Sequence, residues 1–126
     1  MKTLNLKYAI IAIATSTIFA FAAVAQNASV EIDKLTSTEA IQTAIATALA
    51  TNDVTTVTVT GEFDNPDRAL TISIPPGKEV IWQAQYVFND ATGINDPLLQ
   101  ISGAGEFQLA AGATVKANNN VAIRLQ

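Results

Sequence analysis

The chain has 126 residues, contains neither cysteine nor histidine, and carries a formal net charge of −4 at pH 7. Without these two residue types it has no disulfides, no zinc site of the usual His and Cys ligands, and no Ser-His-Asp triad. Its basic residues are few and scattered, so we predict no nucleic-acid partner, because phosphate contacts need clustered Lys and Arg.

The first 25 residues have the pattern of a bacterial secretory signal peptide. Lys2 and Lys7 precede an uncharged, mostly apolar run over 8–23. Residues 23–25 (AVA) then provide the small-x-small pattern of a cleavage site, and we predict cleavage after Ala25. The alternative is an uncleaved membrane anchor, since a span needs about 20 apolar residues. The hydroxyl residues 15–17 and the polar Gln26 favour cleavage.

Cleavage would leave an acidic domain outside the cytoplasm. Loss of Lys2 and Lys7 changes the formal charge from −4 to −6. An acidic surface disfavours docking on anionic lipid, so we expect a secreted or cell-surface protein with no membrane contact after cleavage.

A polar lead over 26–36 precedes one predicted helix, residues 37–51. Thr36 and Glu39 have the spacing of a capping box, with Thr36 as the cap. The apolar residues of the segment fall on one helical face: Ile41, Ile45, Ala48 and Leu49.

From Val54 onward the apolar period changes to two, which indicates strands. The segments are short and are separated by turns rich in Gly, Pro and Asn. Residues 80–88 are predicted to form one long strand. The predicted strands are 54–61, 69–74, 80–88, 98–102, 106–109, 113–117 and 121–126.

Two of these segments resemble each other. Residues 71–80 (TISIPPGKEV) align with 106–115 (EFQLAAGATV), apolar position on apolar position and glycine on glycine. Such repeats are typical of solenoids. The predicted fold is mainly β: a right-handed parallel β-helix over 37–126, with the helix capping its N-terminal end. A small β-sandwich is the alternative.

The phrases IPPGK (74–78) and GATV (112–115) lie in a chain of helix followed by short Gly-bounded strands. This order resembles the opening of bacterial surface proteins built on right-handed, pectin-lyase-like β-helices. The likeness covers residues 37–126. It implies a family that includes adhesins, surface-layer and autotransporter passengers, and polysaccharide-cleaving enzymes.

The predicted β-helix is short, and its last strand, 121–126, has no capping segment after it. An open strand edge invites association. We expect either that the domain is truncated at its C-terminal side, which we favour, or that its open end self-associates.

No catalytic residue and no cofactor is assigned, and we predict a protein that is not an enzyme. Glycosidases need paired carboxylates at a defined separation. Asp64 and Asp67 lie in a predicted turn, and Asp90 and Asp96 lie in a predicted loop. Nothing in their spacing brings them together.

The loop over 89–96 also offers oxygen ligands for a hard cation such as calcium. The candidate ligands are Asn89, Asp90, Asn95 and Asp96. Because Asn and Asp are ordinary turn formers, we favour a turn without a metal.

Trp82, Tyr86 and Phe88 are candidates for a carbohydrate platform. They share parity with Val80 and Ala84, however, so we favour a role in the core. Residues Thr56, Thr58 and Thr60 form a hydroxyl row of the kind found in ice-binding solenoids, with partial rows at Thr71 and Ser73 and at Gln100 and Ser102.

Together these observations predict a structural or adhesive module without catalytic activity, whose partner is a surface glycan or a host surface. The alternatives are a glycan-binding or polysaccharide-cleaving β-helix and, less favoured, an ice-binding solenoid.

Overall fold

The computed structural model describes residues 26–89, 97–118 and 121–126. The predicted signal peptide, 1–25, lies outside these residues, as do Asp90, Asn95 and Asp96 of the predicted metal loop.

The predicted helix is confirmed as α1 (Thr38–Ala50). Its cap is Ser37, whose side chain accepts a hydrogen bond from the backbone N–H of Ala40 over 3.1 Å. The prediction of Thr36 as the cap was wrong by one residue, because three consecutive hydroxyl residues could each take that role. The apolar stripe lies as predicted, with Ile41, Ile45 and Leu49 buried and Ala48 half-buried.

Ten strands and one short 3-10 helix, Ile32–Lys34, make up the other regular structure of the described residues. The strands are β1 (Gln26–Glu31), β2 (Val54–Thr60), β3 (Glu62–Asp64), β4 (Leu70–Ile74), β5 (Glu79–Trp82), β6 (Gln85–Phe88), β7 (Leu99–Gly103), β8 (Glu106–Leu109), β9 (Thr114–Ala117) and β10 (Ile123–Leu125).

The strands form three sheets in which every pair is parallel. Sheet A has the order β1-β2-β5-β8, sheet B has β3-β6-β9, and sheet C has β4-β7-β10. From β2 onward, successive strands lie in sheets A, B and C in turn, three times over. The chain is therefore mainly β, with parallel sheets and one helix. The described residues lack the antiparallel pairing that a β-sandwich of this kind requires.

The register of the sheets differs from the predicted repeat. In sheet A, Val57 faces Val80 and Val80 faces Phe107, so neighbouring strands are 23 and then 27 residues apart. The predicted alignment placed Ile72 on Phe107, but Ile72 faces Ile101 in sheet C. That alignment was wrong because alternation with a period of two is the same in every sheet.

The structure differs from two further predicted segment boundaries, those of 80–88 and of 26–36. Residues 80–88 form two strands, β5 and β6, which belong to different sheets. Val80, Trp82, Ala84 and Tyr86 are nevertheless all buried, because the chain keeps its inward alternation through the bend between the strands. The expected polar lead, 26–36, contains β1 and the 3-10 helix, and β1 pairs with β2.

The three sheets and α1 enclose one hydrophobic core. Its largest fully buried side chains include Trp82 and Tyr86, whose rings meet edge to face with centroids 5.7 Å apart. Such pairs stabilise a core beyond the area they bury. The remaining core residues are mainly Ile, Leu and Val of α1 and the strands.

The two ends of the sheets differ in their cover. Beside β4, the side chain of Gln42 on α1 accepts a hydrogen bond from the backbone N–H of Thr71 over 3.1 Å. Beside β3, the 3-10 helix brings Asp33 against Gly61. At the other end, the edges of β8, β9 and β10 have no neighbouring strand among the described residues.

Candidate functional site

The outer face of sheet A is the broadest regular surface of the described residues. Its side chains alternate with the buried ones and form rows across the strands. One row contains Asn27, Thr56, Glu79 and Glu106, and the next contains Ser29, Thr58, Ile81 and Gln108. The face is therefore polar, with hydroxyl, amide and carboxylate groups around a single half-buried Ile81.

A cleft of about 340 Å³ lies at one margin of this face. Glu79 and Glu106 line it from neighbouring strands, where they face each other in register. Like charges opposite each other in a sheet repel, so the cleft favours ligands that offer hydrogen-bond donors or positive charge. The other lining residues are Thr55, Thr56, Gly77, Lys78, Ala104 and Gly105.

Lys78 lines the same cleft, but its ammonium group is already engaged. Its Nζ donates hydrogen bonds to the backbone carbonyls of Thr51, over 2.7 Å, and Val54, over 2.6 Å. These carbonyls lie just after α1 and at the start of β2. Lys78 therefore ties the turn before β5 to the end of the helix.

A second cluster of polar side chains lies inside the molecule, near the start of α1. The hydroxyls of Thr38 and Tyr86 are both buried, and neither completes a hydrogen bond. Burial raises the pKa of Tyr86 to about 12, and the nearby Thr38 hydroxyl partly offsets this rise. The Thr38 hydroxyl also lies close to Asp67 without completing a hydrogen bond, and its dipole, together with the nearby charge of Arg68, lowers the pKa of this surface carboxyl. The group is a polar junction between helix, turn and sheet.

The three aromatic residues of the predicted carbohydrate platform differ in burial. Trp82 and Tyr86 are fully buried, so neither ring presents a face to a sugar, and the carbohydrate-binding interpretation is not supported for them. Phe88 is half-buried at the end of β6.

Of the four candidate metal ligands, the structure describes only Asn89. Its backbone N–H donates to Asn65 Oδ1 over 3.0 Å, and its carbonyl accepts from Asn118 Nδ2 over 3.2 Å. Asn89 therefore takes part in a corner of the fold through its backbone. Among residues 26–89, 97–118 and 121–126, no group of three or more acidic side chains could hold a metal ion.

The hydroxyl rows lie in two different sheets. Thr56, Thr58 and Thr60 belong to sheet A, where their neighbours include Glu79 and Ile81. The partial rows are neighbours of each other in sheet C, with Thr71 facing Gln100 and Ser73 facing Ser102. The three rows that an ice-binding surface would need are therefore not stacked on one face.

The sequence did contain a signal for the pair of glutamates. EVIW (79–82) and EFQL (106–109) both begin with Glu and alternate in the same way, and these are the segments that pair. The same holds for the asparagines at 65, 89 and 118, each of which follows a strand of sheet B directly. The longer alignment of 71–80 with 106–115 pairs Thr71 with Glu106 and therefore contains neither signal.

The chain matches no protein-family model, no curated protein and no solved structure in the three comparisons. The likeness to pectin-lyase-like surface proteins thus stays a prediction. In the part of the chain that the structure describes, no helix has the length and apolar character to cross a membrane.

Proposed function

We propose that the chain is a right-handed parallel β-helix that serves as a structural or adhesive module at the cell exterior. The observation that supports this most is the recurrence of the strands: sheets A, B and C are visited in the same order three times, with parallel pairing throughout. A solenoid produces this order because each coil adds one strand to each sheet.

The corner after sheet B supports stacked coils in a second way. Asn65, Asn89 and Asn118 follow β3, β6 and β9, and hydrogen bonds join the first to the second and the second to the third. Equivalent residues of successive coils meet in this manner when coils lie directly on one another. The covered end, at α1, would then be the N-terminal cap.

The proposed location rests on the N-terminal sequence. A positively charged start, an apolar run and the AVA motif at 23–25 are the three parts of a secretory signal. The proposed membership of the pectin-lyase-like surface proteins rests on the motifs IPPGK and GATV alone.

The adhesive role draws on the outer face of sheet A, since a flat row of hydroxyl and amide groups offers many hydrogen bonds to the hydroxyls of a glycan. We propose a surface glycan or a glycosylated host surface as the partner. Binding without catalysis is favoured because Lys78 is held by two carbonyls. The alternative of a polysaccharide-cleaving site draws on Glu79 and Glu106, which share a cleft.

Beads coated with the full chain, expressed with its own N-terminal segment, test this proposal under flow on a neutral galactan and on desialylated mucin, so that the added lysines of the variants gain no attraction to the ligand. The variant Thr58→Lys/Ile81→Lys changes two facing residues of the outer face of sheet A. The control, Ser73→Lys/Ser102→Lys, changes two facing residues of sheet C. We expect retention of the wild type and the control, and about tenfold fewer retained beads for the sheet A variant.

The same samples are assayed for new reducing ends in the galactan over one day. Release of reducing ends that is abolished by Glu79→Gln would replace the adhesive proposal with the enzymatic one. No retention of wild-type beads on either surface would overturn the adhesive proposal.

A further inference from the structure

At one end of the sheets, three strands have no neighbouring strand among the described residues, and we call their edges the end face: β8, β9 and β10. Backbone N–H groups of Glu106, Ala110 and Thr114 donate back to the preceding strands, to Lys78, Trp82 and Ala84. Since successive residues of a strand point their backbone groups to opposite sides, Phe107, Leu109 and Val115 direct theirs outward.

The same alternation identifies the outward-facing backbone groups of β10. The carbonyl of Ala122 accepts from Leu99, and the N–H of Gln126 donates to Ile101. Both bonds run back into sheet C, so the residues between them alternate, and Ile123 and Leu125 direct their backbone groups outward.

The end face is also apolar. Leu109, Val121 and Leu125 are 49%, 53% and 72% exposed, and they are the exposed large hydrophobic residues of the described part of the chain. Phe107, Val115 and Ile123 are half-buried beside them. Unpaired edges with exposed apolar side chains are a site of association.

Among its described residues, a second copy of this chain offers only the edge of β1 for pairing at its opposite end. There, Gln42 occupies the edge of β4 and the 3-10 helix lies over β3. To pair with all three edges, the second copy has to present its own end face, which requires a two-fold axis and antiparallel pairing of the edges.

We propose that two copies of the chain join end to end through this face, with the two-fold axis crossing β9. Each β9 then pairs with the other β9, and β8 of one copy pairs with β10 of the other. Two registers bring outward backbone groups together in both contacts, but one of them places Lys116 opposite the second Lys116, so we assign the other. It places Phe107 opposite Ile123 of the second copy and Val115 opposite the second Val115, and all of these residues have outward backbone groups.

The side chains fit the same register. Glu106 lies opposite Arg124 of the second copy, on the outer faces of the sheets, and the contact occurs twice because of the symmetry. Val121 precedes β10 and its carbonyl accepts from the N–H of Leu98, so its contact with Leu109 of the second copy is through side chains alone; this contact covers two of the three exposed apolar residues. Lys116 lies opposite Thr114 and not opposite the second Lys116. Opposite charges on paired strands attract, and like charges repel.

Sedimentation of the full chain over a wide concentration range tests the proposal, with circular dichroism as the check on folding. We expect a reversible equilibrium between monomer and dimer. Arg124→Glu places two acidic residues opposite each other and should weaken the dimer about tenfold or more, and Glu106→Arg should do the same with two basic residues. The double variant Glu106→Arg/Arg124→Glu should restore the wild-type dimer.

The matched control is Arg68→Glu, a charge reversal at an exposed residue in the turn between β3 and β4, outside the end face; it should leave the dimer unchanged. A monomer at every concentration would overturn the proposal, as would growth beyond the dimer, because a two-fold contact uses up the end face. Failure of the double variant to restore the dimer would overturn the register. The proposed adhesion uses Thr58 and Ile81, so the two proposals fail independently.

Discussion

The backbone N–H of Asn89 donates a hydrogen bond to the side-chain Oδ1 of Asn65 over 3.0 Å. The two residues directly follow β3 and β6, which are neighbours in sheet B. Asn65 adopts a φ of 52°, in the left-handed region that Asn tolerates better than most residues. The Asn65 side chain therefore permits the left-handed turn after β3 and also accepts a hydrogen bond from the backbone at the turn after β6.

Asn65→Ala should lower the free energy of unfolding by about 2 kcal/mol. About 1 kcal/mol comes from the lost hydrogen bond and about 1 kcal/mol from the left-handed backbone. Asn65→Gly should cost only the first part, because glycine adopts this φ freely. Urea unfolding of both variants measures the two parts.

The control for this pair is Asn89→Ala. The hydrogen bonds that Asn89 makes to Asn65 and Asn118 use its backbone and not its side chain, so this variant should change stability by less than about 0.5 kcal/mol. Equal losses for Asn65→Gly and Asn65→Ala would contradict the assigned backbone strain.

Gly103→Ala should be one of the most damaging small substitutions in the fold. Gly103 has a φ of 101° and faces Ile74 in sheet C, and an added Cβ would lie 2.3 Å from the carbonyl oxygen of Ile74. Because the obstacle is backbone, we expect a loss of about 3 kcal/mol or more. Thermal unfolding followed by circular dichroism gives the measurement.

Gly77→Ala tests the backbone strain of a positive φ without the steric clash that is expected at Gly103. Gly77 has a φ of 79°, but an added Cβ would meet no atom within 4 Å. Its cost should therefore be the conformational one alone, about 1 to 2 kcal/mol. If both variants lost the same stability, the close approach of Gly103 to Ile74 would be wrong.

Lys78→Met should weaken the attachment of α1 to sheet A. The change removes two donated hydrogen bonds, to the carbonyls of Thr51 and Val54, while keeping the length of the side chain. Hydrogen bonds from charged groups stabilise more than neutral ones, and with partial exposure we expect a loss of about 2 kcal/mol. Lys116→Met, at an exposed position of β9, should change the unfolding free energy by less than about 0.5 kcal/mol. A similar loss in both variants would contradict the assignment.

Stability should fall at alkaline pH because of Tyr86. Its pKa in the folded state is raised to about 12 by burial, against about 10 in an unfolded chain. The contribution of the neutral phenol is thus fully present below pH 10 and is lost as the pH rises through 12, for a total of about 2 to 3 kcal/mol.

Tyr86→Phe should remove this alkaline loss and change stability at pH 7 by less than about 1 kcal/mol, since the hydroxyl completes no hydrogen bond. Urea titrations of both proteins at pH 7, 9 and 11 give the comparison. An alkaline loss of the same size in Tyr86→Phe would show that another group is responsible.

The sequence predicted the local elements well where one signal was strong. The stripe of Ile41, Ile45 and Leu49 defined α1, and strict alternation defined β2 and β4. It did not reveal β1, because Gln26–Glu31 has only Ala28 and Val30 on its inner side. That strand is held by pairing with β2, a contact between distant residues.

By itself, the sequence determined the helix, the short alternating strands, the absence of His and Cys chemistry and the inward parity of Val80, Trp82, Ala84 and Tyr86. These follow from local periodicity and composition. Only the tertiary structure decided which strand pairs with which, and so placed Glu79 beside Glu106 and Asn65 beside Asn89. Alternation fixes the side of a strand that faces inward, but it is the same in all three sheets, so register and partner depend on how the corners turn.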